Sequence, residues 1–335
     1  MKKNAFFCRS VWPVFAKFLL FGKYLTFPCL LVRMKKLYYL CTVIQKTNNK
    51  IIIKMKKVFI IAAAVLAMVG CTKKENQVMT NEQKVVALLK AIETGANEPI
   101  AYINADKYIQ HNLGAEDGLA GFGKLLAGLA DYPEKATVNT VRVFQDGDYV
   151  VAHTDYNFFG PKVGFDIFRF EDGLIVEHWD NLMPTPATAN PSGHTCFDGA
   201  TEITDLDKTE ANKAIVRGFV HDVLMGEHPE NLTGYFDGNN YIQHNPQIAD
   251  GLDGLGAALA AMAEAGVAMV YDTNHIILGK GNFVLSVSEG SFGGQHTSFY
   301  DLFRVENGKI AEHWDVIETI APEAERKNGN GKFGF

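Results

Sequence analysis

The pentapeptide Tyr-Ile-Gln-His-Asn occurs twice, at Tyr108–Asn112 and Tyr241–Asn245, and each copy is followed by Glu-His-Trp-Asp, at Glu177–Asp180 and Glu312–Asp315. The spacings nearly agree: 133 residues separate the pentapeptides and 135 the tetrapeptides. Core packing repeats an apolar pattern, whereas the letters repeated here include His, Asn, Glu and Asp. The chain therefore reads as one site-bearing unit built twice in tandem, and the site is what the two copies share.

The first fifth of the chain is of another kind. No Asp or Glu precedes Glu75. From Met55 two lysines lead into an apolar run, Val58–Val69, and then Gly70-Cys71. A basic start, a short apolar core and small residues before the cut mark a secretory signal, and the Cys resembles the lipobox of bacterial lipoproteins, with Met68 where Leu is usual. The run is about 12 residues long, short of the roughly 20 that span a membrane. The expectation is a signal peptide at 55–70, a lipid on Cys71 and a tether at 71–79. Residues 1–54 read as an extension from an upstream start codon. The expected location is the cell envelope, with the chain lipid-anchored to a bacterial membrane.

Charge follows this division. Thirteen of the 32 Lys and Arg precede Cys71 and all 38 acids follow it, leaving 19 bases against 38 acids in the remainder. So acidic a surface argues against nucleic acid and against anionic lipid head groups as partners. Cys196 is the one cysteine beyond Cys71, which excludes an intrachain disulfide or a cysteine metal site in that part. The fold must stand on its core, which two units of roughly 120 residues can supply.

Within each copy the hydrophobic period changes from helical to alternating. Thr80 and Gln83 form a capping-box pattern ahead of Val85, Val86, Leu88, Leu89 and Ile92. Copy two has Ile215, Val216, Phe219, Val220, Val223 and Leu224 after Asp207, with Gly226 as a stop. Gly118–Leu129 and Gly251–Ala265 read as second helices. Strands are expected at Val141–Phe144, Tyr149–Asn157, Val163–Phe170 and Leu174–Leu182, and in copy two at Ile276–Leu278, Phe283–Glu289, Ser298–Val305 and Lys309–Glu318. Helices first and an antiparallel sheet after them define an α+β class, repeated once. The tails echo each other too, Asn190–Gly193 before Phe197 and Asn328–Gly331 before Phe333, so the units are placed at 80–200 and 201–335.

A three-residue loop at Glu171-Asp172-Gly173 would pair Phe170 with Leu174 and Asp166 with His178, putting Asp166, Phe168, Phe170, Val176, His178 and Asp180 on one face. Copy two gives Asp301 opposite His313, beside Asp315. A two-residue turn would shift this register. A carboxylate beside an imidazole fixes its tautomer, and a carboxyl in a partly apolar pocket can be tuned for proton transfer next to a carbonyl. His111, Asn112, His244 and Asn245 would donate to an enolate oxygen. Trp179 and Trp314 fall on the opposite face and are expected against helices, and Glu177 and Glu312 beside Arg169 and Arg304. The same clusters could also be polar networks that only stiffen the sheet. His111, His178 and Asp180 fit a two-His-one-carboxylate pattern, yet nothing in their spacing is specific to a metal, and no metal or cofactor is expected.

The pentapeptides, the strand end Val151-Ala152-His153, and Asp166–Arg169, Glu171–Gly173 and Glu177–Asp180 together resemble SnoaL-like proteins, a group assigned aldol-condensation and polyketide-cyclase chemistry within the nuclear transport factor 2-like superfamily. The resemblance covers both copies. It implies two cone-shaped α+β domains, with helices packed on a curved, mainly antiparallel sheet around a pocket. It also implies Asp180 and Asp315 as acid/base, with Asp166, Asp301, His111, His244 and His153 lining the pocket. Sheet-to-sheet dimers are common there, so the copies could form a pseudo-dimer within one chain. Leu113 departs from the usual Pro, which Pro246 keeps, and Val287 stands where copy one has His153, with His296 nearby. The expected function is cofactor-free proton transfer or aldol-type chemistry on a small carbonyl compound. The alternative is a non-catalytic module binding a small, apolar or carbonyl-bearing ligand at the cell envelope, and a scaffold with vestigial pockets comes third. Phe158, Phe168, Phe170, Phe292 and Phe303 are candidate apolar lining.

Overall fold

The computed structural model describes residues 79–335, so the expected upstream extension, signal peptide, Cys71 and the tether to 78 lie outside the described residues. The first half runs α1 (Asn81–Thr94), β1 (Ile109–Gln110), α2 (Gly118–Ala130), β2 (Thr137–Asp146), β3 (Tyr149–Asn157), β4 (Pro161–Glu171) and β5 (Leu174–Pro184). The second runs α3 (Thr209–Phe219), β6 (Ile242–Gln243), α4 (Gly251–Glu264), β7 (Met269–Lys280), β8 (Phe283–Phe292), β9 (Gln295–Glu306) and β10 (Lys309–Thr319). Each half holds a five-stranded sheet, ordered β1-β5-β4-β3-β2 and β6-β10-β9-β8-β7. The class is α+β, with two sheets of one topology. Among the described residues, no helix is long and apolar enough to cross a membrane.

Local chemistry explains the starts and stops. Thr80 and Gln83 complete a reciprocal capping box and Gly95, at φ 67°, ends α1. Val85, Leu88 and Leu89 are buried, but Val86 is 37% exposed, so the buried stripe is narrower than expected. In the second half α3 continues as a π turn over Val220–Leu224 before Gly226. The eight long strands all extend beyond their expected bounds or match them. The two short strands were not expected: Ile109-Gln110 and Ile242-Gln243, inside the pentapeptides, pair parallel with β5 and β10.

The hairpin register differs from the expected one. Glu171 pairs with Leu174 across a two-residue Asp172-Gly173 turn, and Glu306 with Lys309 across Asn307-Gly308. All four turn residues have positive φ, from 49° to 77°, as a type I′ turn requires. A bulge then adds one residue on β5 between Ile175 and Glu177, and one on β10 between Ile310 and Glu312. Turn and bulge together shift the register by two residues, which preserves the faces. Asp166 lies opposite Asp180 instead of His178, and Asp301 opposite Asp315. Ile175, not Val176, joins Phe168 and Phe170 in the core.

Three cores result. Val85, Leu88, Leu89 and Phe122 of the helices cover Val150, Ala152, Tyr156, Phe168 and Phe170 of the first sheet. Val216, Phe219 and Tyr241 pack with Val284, Phe303 and Val305 of the second. The third core lies between the sheets: Val151, Phe165, Ile167 and Trp179 meet Leu285, Val287, Tyr300 and Trp314. The tryptophans thus face the other sheet and not helices, because each helical layer covers only the face bearing Phe168 or Phe303.

The echoing tails lie crosswise. Asn190 donates to the carbonyls of Gln243 (2.7 Å) and Ile248 (3.0 Å), and Trp314 Nε1 donates to Asp198 O (3.1 Å). Asn328 donates to Asn112 O (2.7 Å) and Ala115 O (2.9 Å), and Asn330 to Gln110 O (2.9 Å). Phe335 stacks on Trp179 at 4.5 Å. Each half's tail therefore covers the other half's pentapeptide.

Two candidate acid–base sites

Alternation along β5 and β4 brings His178, Asp180 and Asp166 onto the helix-covered face, and β10 and β9 do the same for His313, Asp315 and Asp301. All six residues are buried. In each trio, ligand-type atoms lie within 4.8 Å of one another. The Asp–His contact survives the register shift as a diagonal one: His178 Nε2 is 3.2 Å from Asp166 Oδ1, and His313 Nε2 is 3.1 Å from Asp301 Oδ1.

The glutamine of each pentapeptide orients the ring. Gln110 Oε1 accepts from the Asn112 amide (2.8 Å) and lies 3.0 Å from His178 Nδ1. Gln243 Oε1 does the same with the His244 and Asn245 amides (2.9 Å each) and His313 Nδ1 (3.0 Å). An oxygen that already accepts from backbone N–H groups makes Nδ1 the donor. The contact between Nε2 and the aspartate then needs a further proton, shared between imidazole and carboxyl. Tyr156 donates to Asp166 Oδ2 (2.7 Å), and Tyr271 lies 3.3–3.4 Å from both Asp301 oxygens. Burial raises Asp166 above the ordinary carboxylate range, against the lowering pull of His178. His313 is raised because its hydrogen bond to Asp301, with the charges of Asp315 and Asp301, outweighs burial.

Asp180 and Asp315 are held differently. Asn112 Nδ2 donates to Asp180 Oδ2 and Asn245 Nδ2 to Asp315 Oδ2, both at 2.6 Å. The other oxygen of each, Oδ1, is buried with no hydrogen-bond partner among the described residues. Burial raises Asp315, with Asp301 adding to the rise. Phe168 stacks on His178 (4.4 Å) and Phe303 on His313 (4.8 Å). Phe158 and Phe170 belong to the first helix-side core, while Phe292 closes β8 at its far end.

Three expected pocket residues are elsewhere. His111 stacks on Trp179 at 4.7 Å, with Nε2 2.9 Å from Glu177 and Nδ1 2.9 Å from Gly331 O. His244 stacks on Trp314 at 4.6 Å, with Nε2 2.9 Å from Glu312 and Nδ1 2.8 Å from Thr195 O. Both rings therefore clamp the crossed tails on the inter-sheet face, one residue out of phase with Gln110 and Gln243. His153 is there too, accepting from Arg142 (3.1 Å) and stacked on Phe165. Burial first, then Arg142, holds it well below the ordinary histidine range. His296 does not stand in for it: it is exposed and paired with Glu289. Glu177 and Glu312 do pair with Arg169 (2.7 Å) and Arg304 (2.6 Å), as expected.

The His111–His178–Asp180 metal pattern does not assemble, since His111 and Asp180 occupy opposite faces. Asp166, His178 and Asp180, with their copies, could meet a cation, as could His194, Asp198 and His244. In the buried trios the imidazole Nε2 is already committed to a proton shared with aspartate. Sequence reading missed Gln110, Gln243, Tyr156 and Tyr271. The glutamines were visible as part of the repeated pentapeptide.

Residues 85–178 match the model of the SnoaL-like domain. No curated protein matches the chain. Among solved structures, TsrD of Streptomyces laurentii is 21% identical over 31% of this chain and 91% of its own, with a TM-score of 0.27. IdmH of Streptomyces antibioticus, a candidate polyketide cyclase, is 18% identical over 31% and 92%, at 0.28. A protein of ketosteroid isomerase-like fold from Catenulispora acidiphila, in complex with trimethylamine, is 22% identical over 30% and 85%, at 0.27. The likeness to a SnoaL-like domain rests on the match at residues 85–178.

Proposed function

We propose that the chain is a cofactor-free acid–base protein that moves a proton on carbon next to the carbonyl of a small, largely apolar compound. One observation carries this reading. In both halves an asparagine holds one oxygen of a buried aspartate, and the other oxygen is left without a hydrogen-bond partner among the described residues, beside a proton-sharing His–Asp pair. A structural network would be expected to satisfy both oxygens, since a buried unpaired carboxylate oxygen costs stability. A general base needs one oxygen free.

The second copy is read as a further SnoaL-like domain from its matching topology and repeated trio, with units at 80–200 and 201–335. The inter-sheet core and crossed tails support an intramolecular pseudo-dimer. The signal at 55–70 supports export and lipid anchoring at Cys71 in the cell envelope. Metabolic labelling with a radioactive fatty acid should mark the wild-type chain and not Cys71→Ser; equal labelling of both removes the anchor from the proposal.

The enzymatic reading is tested with phenylacetone in heavy water, following loss of the α-hydrogen NMR signals. Wild type should accelerate exchange, and Asp180→Asn combined with Asp315→Asn should return it to the buffer rate while phenylacetone binding persists. Exchange unaffected by the double substitution sinks the acid–base role and leaves the binding-module alternative.

A further inference from the structure

The two sites differ in what the crossed tails bring to them. His111 clamps the carbonyl of Gly331 and His244 that of Thr195, so the next residues, Lys332 and Cys196, occupy equivalent places. Lys332 is only 5% exposed, with Nζ 3.0 Å from Glu318 Oε1 and 3.9 Å from Asp180 Oδ1. Asp180 Oδ1 is the oxygen that Asn112 leaves free. In the other half, Cys196 is a buried free thiol, pushed up to about 12 by burial first and the Asp315 charge second, and so uncharged. Three residues beyond each acid, Glu318 follows Asp315 and Met183 follows Asp180. One site therefore has a lysine at its edge, and the other an uncharged thiol.

We propose that Lys332 makes the Asp180 site the catalytic one, stabilising the enolate oxygen that forms when Asp180 Oδ1 takes a proton from the carbon beside a ligand's carbonyl. The Asp315 site, with Cys196 in that place, binds the same class of ligand without turnover. This rests on the acid–base reading above and adds a residue and an asymmetry to it. In the step, the C–H bond breaks and its proton goes to Asp180 Oδ1. The C–H electron pair becomes the C=C bond and the carbonyl π pair moves onto oxygen, which accepts a hydrogen bond from Lys332 Nζ. Return of the proton to the same or another carbon completes an exchange or isomerisation, with no oxidant or reductant. An ammonium has three donors; Glu318 engages one, and a donor remains for an oxyanion beside the base.

The test uses the full chain and 4-nitrophenol, whose phenolate imitates an enolate, at a pH below the probe's own pKa in water. Asp180→Asn, which imitates the protonated acid, should hold one probe per chain in the phenolate form, read from its absorption band. Adding Lys332→Met should weaken that binding by about tenfold or more, while Lys332→Arg, which keeps the charge, retains it. Placing Cys196→Lys with Asp315→Asn should create a second phenolate site. A band absent from Asp180→Asn, or unchanged when Lys332→Met is added to a chain that still melts cooperatively, overturns the inference. Should Lys332→Met not fold, the Cys196→Lys arm decides alone, and no gain there overturns it. Loss of phenylacetone exchange in the Asp180→Asn and Asp315→Asn protein stands or falls separately, so Lys332 can fail while Asp180 survives as the base.

Discussion

At the scale of single residues, the glutamines decide what the histidines do. Gln110 and Gln243 fix Nδ1 of His178 and His313 as donors, so replacing either by Leu leaves a buried ring N–H short of an acceptor, with one backbone amide in the first half and two in the second. The expected cost is about 1–3 kcal/mol, read as a lower urea midpoint, together with slower phenylacetone exchange for Gln110→Leu. Gln→Glu, which still accepts, should cost less; equal losses for both would show that the acceptor is not what matters. The raised His313 gives a pH signature. Its folded value lies above the ordinary histidine value, so its stabilisation is complete below about pH 6.5 and fades as pH rises through the folded value. The stability advantage of wild type over His313→Gln should therefore be larger at about pH 5.5 than at about pH 8.5. An advantage constant with pH would mean that the Asp301 contact does not hold the extra proton. His178 and Asp180 were legible because strand alternation is local. The place of His111 was not, because its partner lies far along the chain: Gly331 is 220 positions from His111.

At the scale of elements, two departures from the expected hairpin add to an even shift, which keeps the face. A two-residue turn moves the register by one and would turn His178 and Asp180 out of phase with Asp166; the bulge before Glu177 moves it once more and restores the face. The face was legible from the sequence and the partner was not, since a bulge leaves no mark in an alternating pattern. The two-residue β1 and β6 were equally invisible, being too short to show any period. The turns carry their own prediction. Asn307 has φ 50° and Asp172 φ 49°, a conformation that costs a side-chain-bearing residue about 1–2 kcal/mol unless its short polar group helps. Asn307→Gly should be within a few tenths of a kcal/mol of wild type, whereas Asn307→Val should lose about 1–2 kcal/mol in urea unfolding. If valine were tolerated as well as glycine, the type I′ turn would not be what sets the register.

At the scale of the whole chain, two sheets of one topology were legible from the repeated letters, but the placing of the halves was not. Trp179 and Trp314 read as helix-packing residues because an apolar residue on a strand does not announce which layer will cover it. Here the covering layer is the equivalent face of the other sheet, and the crossed tails close over its edges, bringing Arg142 and Trp314 within 4.1 Å. A half expressed alone, residues 79–200, would expose Val151, Phe165, Ile167 and Trp179 together, a contiguous apolar surface of the kind that drives association. It would also keep its own tail, which in the full chain lies on a sheet then missing. The same surface and tail can be satisfied by a second copy of the half, with the tails crossing between chains as they cross between halves here. The fragment should therefore sediment as a dimer or aggregate, with Trp179 fluorescence turning red as the sample is diluted. A fragment that stays monomeric at micromolar concentration, folded and with a blue Trp179, would show that the inter-sheet core is dispensable. The pseudo-dimer, and with it the delivery of Lys332 to the Asp180 site, would then lose its physical basis.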